Sequence, residues 1–265
     1  MAQSSKSRRE RAEQARASVQ VGQARRERTV RIVGAVVVVG VVVGIIGVAV
    51  YARSSAPAAP GLVTAEPDPN AALPAGVLPA TDTRPFGVVY GNAPEGAPTL
   101  ELWEDFQCPA CGALEAVNGA GIAQLAEEGK YRLVWRPTTF LDNKLGNDSS
   151  LRAVAAWGCA IDAGRVREYH DVIYANQPQE EGKGFTKEQL IAFGSDAGVP
   201  QDQMETFTQC VESGQYLTWA ANSTQEFYNN EVSATPTGKL NGAEVPPEIL
   251  ADQAKLTDYV SKNAG

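Results

Sequence analysis

The chain has 265 residues, room for one sizeable domain with additional segments, and 43% apolar residues, enough for a packed core. Its formal net charge is −8, but residues 1–31 hold nine Lys/Arg against three Glu, a local +6, so the remaining 234 residues carry −14. That acidic remainder excludes a nucleic-acid partner, because phosphate binding needs a basic face.

Residues 1–31 are rich in Arg, Glu, Gln, Ser and Ala, cannot bury enough apolar surface to offset the entropy of ordering, and read as a basic cytoplasmic tail. Next comes IVGAVVVVGVVVGIIGVAVY, residues 32–51, which is twenty residues without a charge and long enough for a transmembrane helix. The Lys/Arg excess precedes it and only Arg53 follows closely. The positive-inside rule therefore predicts a single-pass cell-membrane protein with its N-terminus in the cytoplasm and everything after Tyr51 outside. A cleaved signal peptide is the competing reading, with small residues at Ser55-Ala56-Pro57-Ala58-Ala59. A cleavable apolar region usually has about 7 to 15 residues behind a short leader, so this longer run behind a longer tail favours an uncleaved signal-anchor.

Residues 52–83 carry prolines at 57, 60, 67, 69, 74 and 79 and read as an extended, semi-stiff linker. The folded domain is predicted over residues 84–265. Gly87 to Tyr90 and Thr99 to Phe106 read as strands, the second leading into Cys108. A helix is expected from Pro109 to Glu128, weakened in the middle by Gly119 and Gly121. YRLVWRP, Tyr131 to Pro137, alternates and is rich in β-branched and aromatic residues, as a strand requires. From Asp148 to about Gln225 the apolar spacing is helical, and Thr186 with Gln189 makes a capping box. Val232 to Gly242 predicts a strand and hairpin, and Glu248 to Asn263 a closing helix. This order of elements predicts an α/β sandwich with a helical subdomain inserted over about 145–225.

Cys108, Cys111, Cys159 and Cys210 all follow the predicted span, in a compartment where disulfides persist. Four cysteines allow three pairings. The two-residue spacing makes a Cys108–Cys111 bridge easy and leaves Cys159 to Cys210, with two buried free thiols as the alternative for that second pair. Cys108 is expected to cap the helix, with Pro109 in the first turn where a missing N–H costs nothing. The helix dipole and free N–H groups then stabilise a thiolate at Cys108. Cys111, one turn on, is expected to be more buried and less acidic, so Cys108 exchanges with partners and Cys111 resolves the mixed disulfide. The alternatives are a structural bridge at an ordinary turn, or zinc. A zinc site wants two closely spaced ligand pairs, whereas Cys159 and Cys210 stand singly and His170 is the one histidine, so no metal and no organic cofactor is expected.

EDFQCPAC (Glu104 to Cys111), YRLVWRP, EYHD (Glu168 to Asp171), FTQCVESG (Phe207 to Gly214) and SATPTGKLNG (Ser233 to Gly242) together resemble the DsbA-like thiol-disulfide oxidoreductases. The similarity covers about residues 86–263 and is nearest to membrane-tethered members from bacteria without a conventional periplasm. It implies a thioredoxin-like fold with an inserted helical subdomain, and a cis Thr235-Pro236 bond facing the cysteine pair. Such a proline has no N–H and leaves nearby backbone groups for a substrate strand.

Two positions depart from the family pattern. The buried glutamate usually found six residues before the nucleophile is replaced by Leu102. Glu104 lies two residues on, on the same strand face, and is expected either to transfer a proton for Cys111 or to be a solvated surface carboxylate. Ala110 stands where many strong oxidases of the family carry His or an aromatic residue, which implies a milder oxidant. His170 is expected to be a structural hydrogen-bonding group. Trp103, Phe106 and Trp135 are expected in the core or at its rim, with Phe106 a candidate border of the substrate groove.

The resulting expectation is an extracytoplasmic thiol-disulfide oxidoreductase that introduces disulfides into reduced exported polypeptides through its Cys-Pro-Ala-Cys pair. The resemblance implies reoxidation by a membrane quinone-linked thiol oxidase of the DsbB or vitamin K epoxide reductase type. The alternatives are a thiol reductase or isomerase, and a membrane-tethered peptide-binding module with little redox turnover.

Overall fold

The computed structural model describes residues 61–263, so the basic tail and the apolar run of residues 32–51 lie outside the described residues. Among the described residues no helix is long and apolar enough to cross a membrane. The strands are β1 (Val88–Tyr90), β2 (Thr99–Glu104), β3 (Arg132–Pro137), β4 (Thr237–Leu240) and β5 (Ala243–Val245). They form one sheet in the order β1-β3-β2-β4-β5. β2 and β3 are parallel and the other pairs antiparallel, with Leu102 opposite both Trp135 and Gly238.

A parallel pair needs a crossover, and here it is the helix that starts at the cysteines. It runs as α1 (Pro109–Leu114), a π turn (Glu115–Gly119) and α2 (Ala120–Glu127). The interruption expected at the glycines is this change of hydrogen-bond spacing, and the helix continues through it. After their first residues, β2 and β3 are buried on both faces. The charged pair they carry inside is satisfied in place: Arg136 Nε donates to Glu101 Oε1 at 2.9 Å, and its Nη2 donates to the Arg84 carbonyl at 2.9 Å.

Between β3 and β4 the chain forms α3 (Phe140–Leu145), α4 (Ser149–Asp162), α5 (Val166–Ala175), α6 (Lys187–Asp196), α7 (Met204–Ser213) and α8 (Leu217–Asn229). The insertion therefore begins and ends a few residues outside the expected 145–225. α4 is its centre. Almost every residue of α4 is buried, and Trp157 packs edge-on to Trp135 of the sheet at 6.0 Å. Thr186 and Gln189 form the reciprocal capping box at the start of α6.

Two expectations about the ends of the domain are corrected. Residues 61–83 are not a free tether. The Val63 and Ala75 N–H groups donate to Asp148 and Asp162, both at 2.8 Å, while Asp68 and Asn222 exchange two hydrogen bonds. Val77 and Leu78 are buried against the sheet, and Val77 bridges Val88. Proline-rich composition gives an extended backbone, but side chains from α4 and α8 supply the partners that hold it down. The expected closing helix is also two elements, α9 (Pro247–Leu250) and α10 (Gln253–Asn263). The break falls where the Asp252 side chain accepts from Lys255 N at 3.0 Å, which starts a new helix in the manner of a cap.

Candidate active site

β2 delivers the chain to the site through Asp105-Phe106-Gln107. Asp105 is fully buried: its carboxylate accepts from the Ser150 hydroxyl at 2.5 Å, from Gln107 N at 2.9 Å and from Leu141 N at 3.1 Å. Burial pushes its pKa up to about 7 against those bonds. Gln107 Nε2 in turn donates to Asp142 and Ser150, so this loop is locked onto α3 and α4. The Asp105 carbonyl accepts from Cys108 N at 2.8 Å. From the far side, Gln177 Nε2 donates to the carbonyls of Phe106 and Cys108 at 2.9 and 3.0 Å. Cys108 is thus held on one side by the loop after β2 and on the other by Gln177 of the helical insertion.

Cys108 caps α1 with an extended backbone, and Pro109 takes the first helical position. The structure holds the pair as two thiols, with Cys108 8% exposed and Cys111 0%. The Cys111 thiol donates to the Cys108 sulfur, which lowers the Cys108 pKa from 9.0 to about 6. Burial opposes that shift, and Thr235 and the N–H groups of Cys111 and Ala110 assist it. The same interactions act in reverse on Cys111, whose pKa is pushed well above 9.0 by burial first, then by its bond to Cys108 and the charge of Glu104.

The Thr235-Pro236 bond is cis and lies across the pair. The Cys108 thiol donates to the Thr235 carbonyl at 3.3 Å. The Thr235 hydroxyl is buried with no other hydrogen-bond partner, and so is free to donate to a thiolate.

Glu104 is 5% exposed, which removes the solvated-carboxylate reading. Its Oε2 lies 3.2 Å from His170 Nε2. His170 is on the buried stripe Tyr169, His170, Ile173 and Tyr174 of α5, between the rings of Trp135, Tyr174 and Trp157 at 4.7, 5.0 and 5.3 Å. Its Nδ1 faces Asp171 at 3.7 Å and Glu115 at 4.0 Å. Burial disfavours the imidazolium, but the carboxylates of Asp171, Glu104 and Glu115 around the ring outweigh it and push the His170 pKa up to about 10. Of these only Glu104 is within hydrogen-bond distance, and Nδ1 is buried without a hydrogen-bond partner. One oxygen from each of Glu104 and Glu115 and one ring nitrogen lie within 4.8 Å of one another, the one grouping of metal-ligand type among the described residues. With its two nitrogens turned to different carboxylates, the ring serves as a cation between them, an arrangement that suits proton sharing.

Cys108, Cys111, Thr235, Pro236 and Glu104 are therefore brought to one place. Cys159 and Cys210 are joined in a disulfide between α4 and α7, on another part of the insertion. Phe106 is 3% exposed and packs on Trp157 and Tyr174, so it belongs to the core and does not border a groove. Sequence reasoning missed Gln177, which carried no signal, and Glu115, which did: it stands four residues after Cys111 on the same helix face.

A thioredoxin-type sheet with a dithiol at the start of its crossover helix and a cis proline opposite defines a dithiol-exchange protein. The Thioredoxin family model matches residues 83–258, about two thirds of the chain. Among solved structures the chain is similar to the reduced form of the disulfide bond oxidoreductase DsbG from Mycobacterium tuberculosis. The identity is 27% and the TM-score 0.53, covering 67% of this chain and 93% of that one. It is also similar to reduced DsbA from Mycobacterium tuberculosis, at 26% identity and a TM-score of 0.52, covering 68% and 100%. The thiol-disulfide oxidoreductase MdbA from Actinomyces oris, at 24% identity and a TM-score of 0.57 over 67% and 88%, shares the fold. No curated protein matches the sequence. The chain belongs to the thioredoxin family and is a thiol-disulfide oxidoreductase of the DsbA type.

Proposed function

We propose that this protein is a membrane-tethered oxidase that introduces disulfides into reduced polypeptides outside the cytoplasm. The observation that carries the reading is the unequal protonation of the pair. A Cys108 thiolate held at a pKa of about 6 stabilises the dithiol form and so makes the disulfide form a ready electron acceptor. A substrate thiolate attacks Cys108, Cys111 leaves, and a second substrate thiolate then releases Cys108 and closes the substrate disulfide. Glu104, buried beside Cys111, exchanges the proton that Cys111 gains on reduction and loses on reoxidation. Turnover in this direction needs an electron acceptor, for which a quinone-linked membrane oxidase of the DsbB or vitamin K epoxide reductase type fits the anchored topology read from residues 1–51.

The reduction potential of the Cys108–Cys111 pair tests the direction: a value towards about −120 mV supports an oxidase, and one near about −270 mV makes the protein a reductase. Topology is tested by reporter fusions at Gln23 and Gly265. An internal reporter active at Gln23 and an external one active at Gly265 are expected, and external activity at both ends would remove the anchor.

A further inference from the structure

We propose that Glu115 carries the proton that Glu104 exchanges with Cys111, and that His170 holds the two carboxyl groups together as a proton-sharing pair, so that the enclosed thiol reaches solvent through the cavity beside Glu115. This rests on the reading of the pair as a dithiol-exchange centre.

The Cys111 sulfur needs such a route, because Cys111 is 0% exposed and no water reaches it directly. Its neighbour Glu104 is also enclosed, and Glu104 Oε1 is buried with no hydrogen-bond partner. A carboxylate oxygen left bare in the interior is costly, so a donor brought up to it is favoured. Glu115 is the group placed to supply one, since one oxygen of each carboxyl group and a His170 ring nitrogen lie within 4.8 Å of one another. It lies one turn beyond Cys111 on the same inward face of the helix, at the start of the π turn, a kind of interruption that recurs at functional sites. A second carboxylate at this distance disfavours the charged form of Glu115. Burial, followed by the charge of Glu104, pushes the Glu115 pKa up to about 8, so at neutral pH the proton rests on Glu115.

Glu115 also has an outer face. It lines a surface cavity of about 290 Å3 with Gly112, Ala116, Asp171 and Tyr174. The ionisable groups around His170 are Glu104 and Asp105 from β2 and its end, Arg136 from β3, Cys111 and Glu115 from the active-site helix, and Asp171 and Tyr174 from its own helix. Arg136 is committed to Glu101, which leaves the His170 imidazolium as the cation that balances Glu104.

The balance of one half-cycle is as follows. A substrate thiolate forms an S–S bond to Cys108, and the Cys108–Cys111 bond breaks. Cys111 leaves with the electron pair as a thiolate. The proton shared by Glu115 and Glu104 passes from Glu104 to the Cys111 sulfur, and Glu115, left as a carboxylate, takes a proton from water in the cavity. Reoxidation by the electron acceptor runs the same path in reverse.

The test is single-turnover reduction of the oxidised full-length protein by dithiothreitol from about pH 6 to about pH 10, with rates corrected for ionisation of the reductant and Cys111 protonation read by quenched alkylation. The wild type is expected to show a break near pH 8, where Glu115 loses its proton. Glu115→Gln should lower the corrected rate at least about tenfold below the break and abolish the break, as loss of a general acid does. Glu115→Asp should restore a break. His170→Gln should keep the break but move it to higher pH, because the imidazolium lowers the Glu115 pKa. Alkylation of Cys108 in the reduced Glu115→Gln protein should keep its midpoint near pH 6. A Glu115→Gln protein with the wild-type rate and break, or a His170→Gln protein with an unmoved break, would overturn the proposal. A wild-type protein that dithiothreitol does not reduce would instead overturn the dithiol-exchange reading itself.

Discussion

The sulfur of Cys108 lies 3.3 Å from the carbonyl oxygen of Thr235, a residue 127 positions away in sequence. This contact makes the loop before β4 part of the nucleophile's environment, since the Thr235 hydroxyl has no other partner and faces the same sulfur. A hydrogen bond to a charged group contributes about 1.5 to 3 kcal/mol, equivalent to about one to two pKa units. Thr235→Val should therefore raise the Cys108 pKa by about one unit and slow its alkylation near pH 6 several-fold. An unchanged titration curve would remove Thr235 from the site.

The lowered Cys108 pKa also makes stability depend on pH in the dithiol form alone. Its value falls from 9.0 when unfolded to about 6 in the folded protein, so the contribution is fully present above pH 9 and is lost as pH falls through 6. Cys111, with its pKa pushed well above 9.0, binds its proton more tightly when folded and reverses the gain at still higher pH. Denaturant melts of the dithiol and disulfide forms should thus diverge in favour of the dithiol between pH 6 and pH 9. Parallel curves across that window would contradict the unequal pair.

Cys111→Ser separates chemistry from binding. Without its resolving thiol the variant should remain joined to partner proteins through Cys108, giving high-mass bands on non-reducing gels that dithiothreitol collapses to monomer. Cys108→Ser should give none, because Cys111 is enclosed. Equal ladders from both variants would reverse the roles of nucleophile and resolver.

The Cys159–Cys210 bridge spans 51 positions, a loop for which chain-entropy arguments give about 4 kcal/mol. Replacing both residues by Ala should lower the melting temperature by several degrees and leave dithiol exchange largely intact. Lost exchange at full stability would make this pair an electron relay.

The pair itself was legible in the chain because its chemistry is local. A strand running into Cys108, a proline at the first helical position and a partner one turn later specify the position of the pair, while burial and the Cys111 and Thr235 side chains complete the protonation order. The alternation in β2 and β3 and the capping box of α6 are local in the same sense. Other features depend on what folds against what. The linker composition of residues 61–83 did not show that Asp148, Asp162 and Asn222 would receive it. The cap chemistry of Asp252 outweighed the continuous helical pattern that predicted one closing helix.

The site divides along the same line. The amino-acid sequence by itself determined the dithiol and the helix it starts, since spacing along one helix needs no distant partner, whereas the placement of Thr235-Pro236 opposite the pair came from the resemblance and is a contact made only in the fold. Only the tertiary structure decided the surroundings of Glu104. A carboxylate on an isolated strand meets water, but here α5 brings His170 to 3.2 Å and the π turn brings Glu115 within 4.8 Å. The three residues are far apart in sequence or unremarkable in type, and their chemistry exists only where the fold encloses them together in a low-dielectric interior.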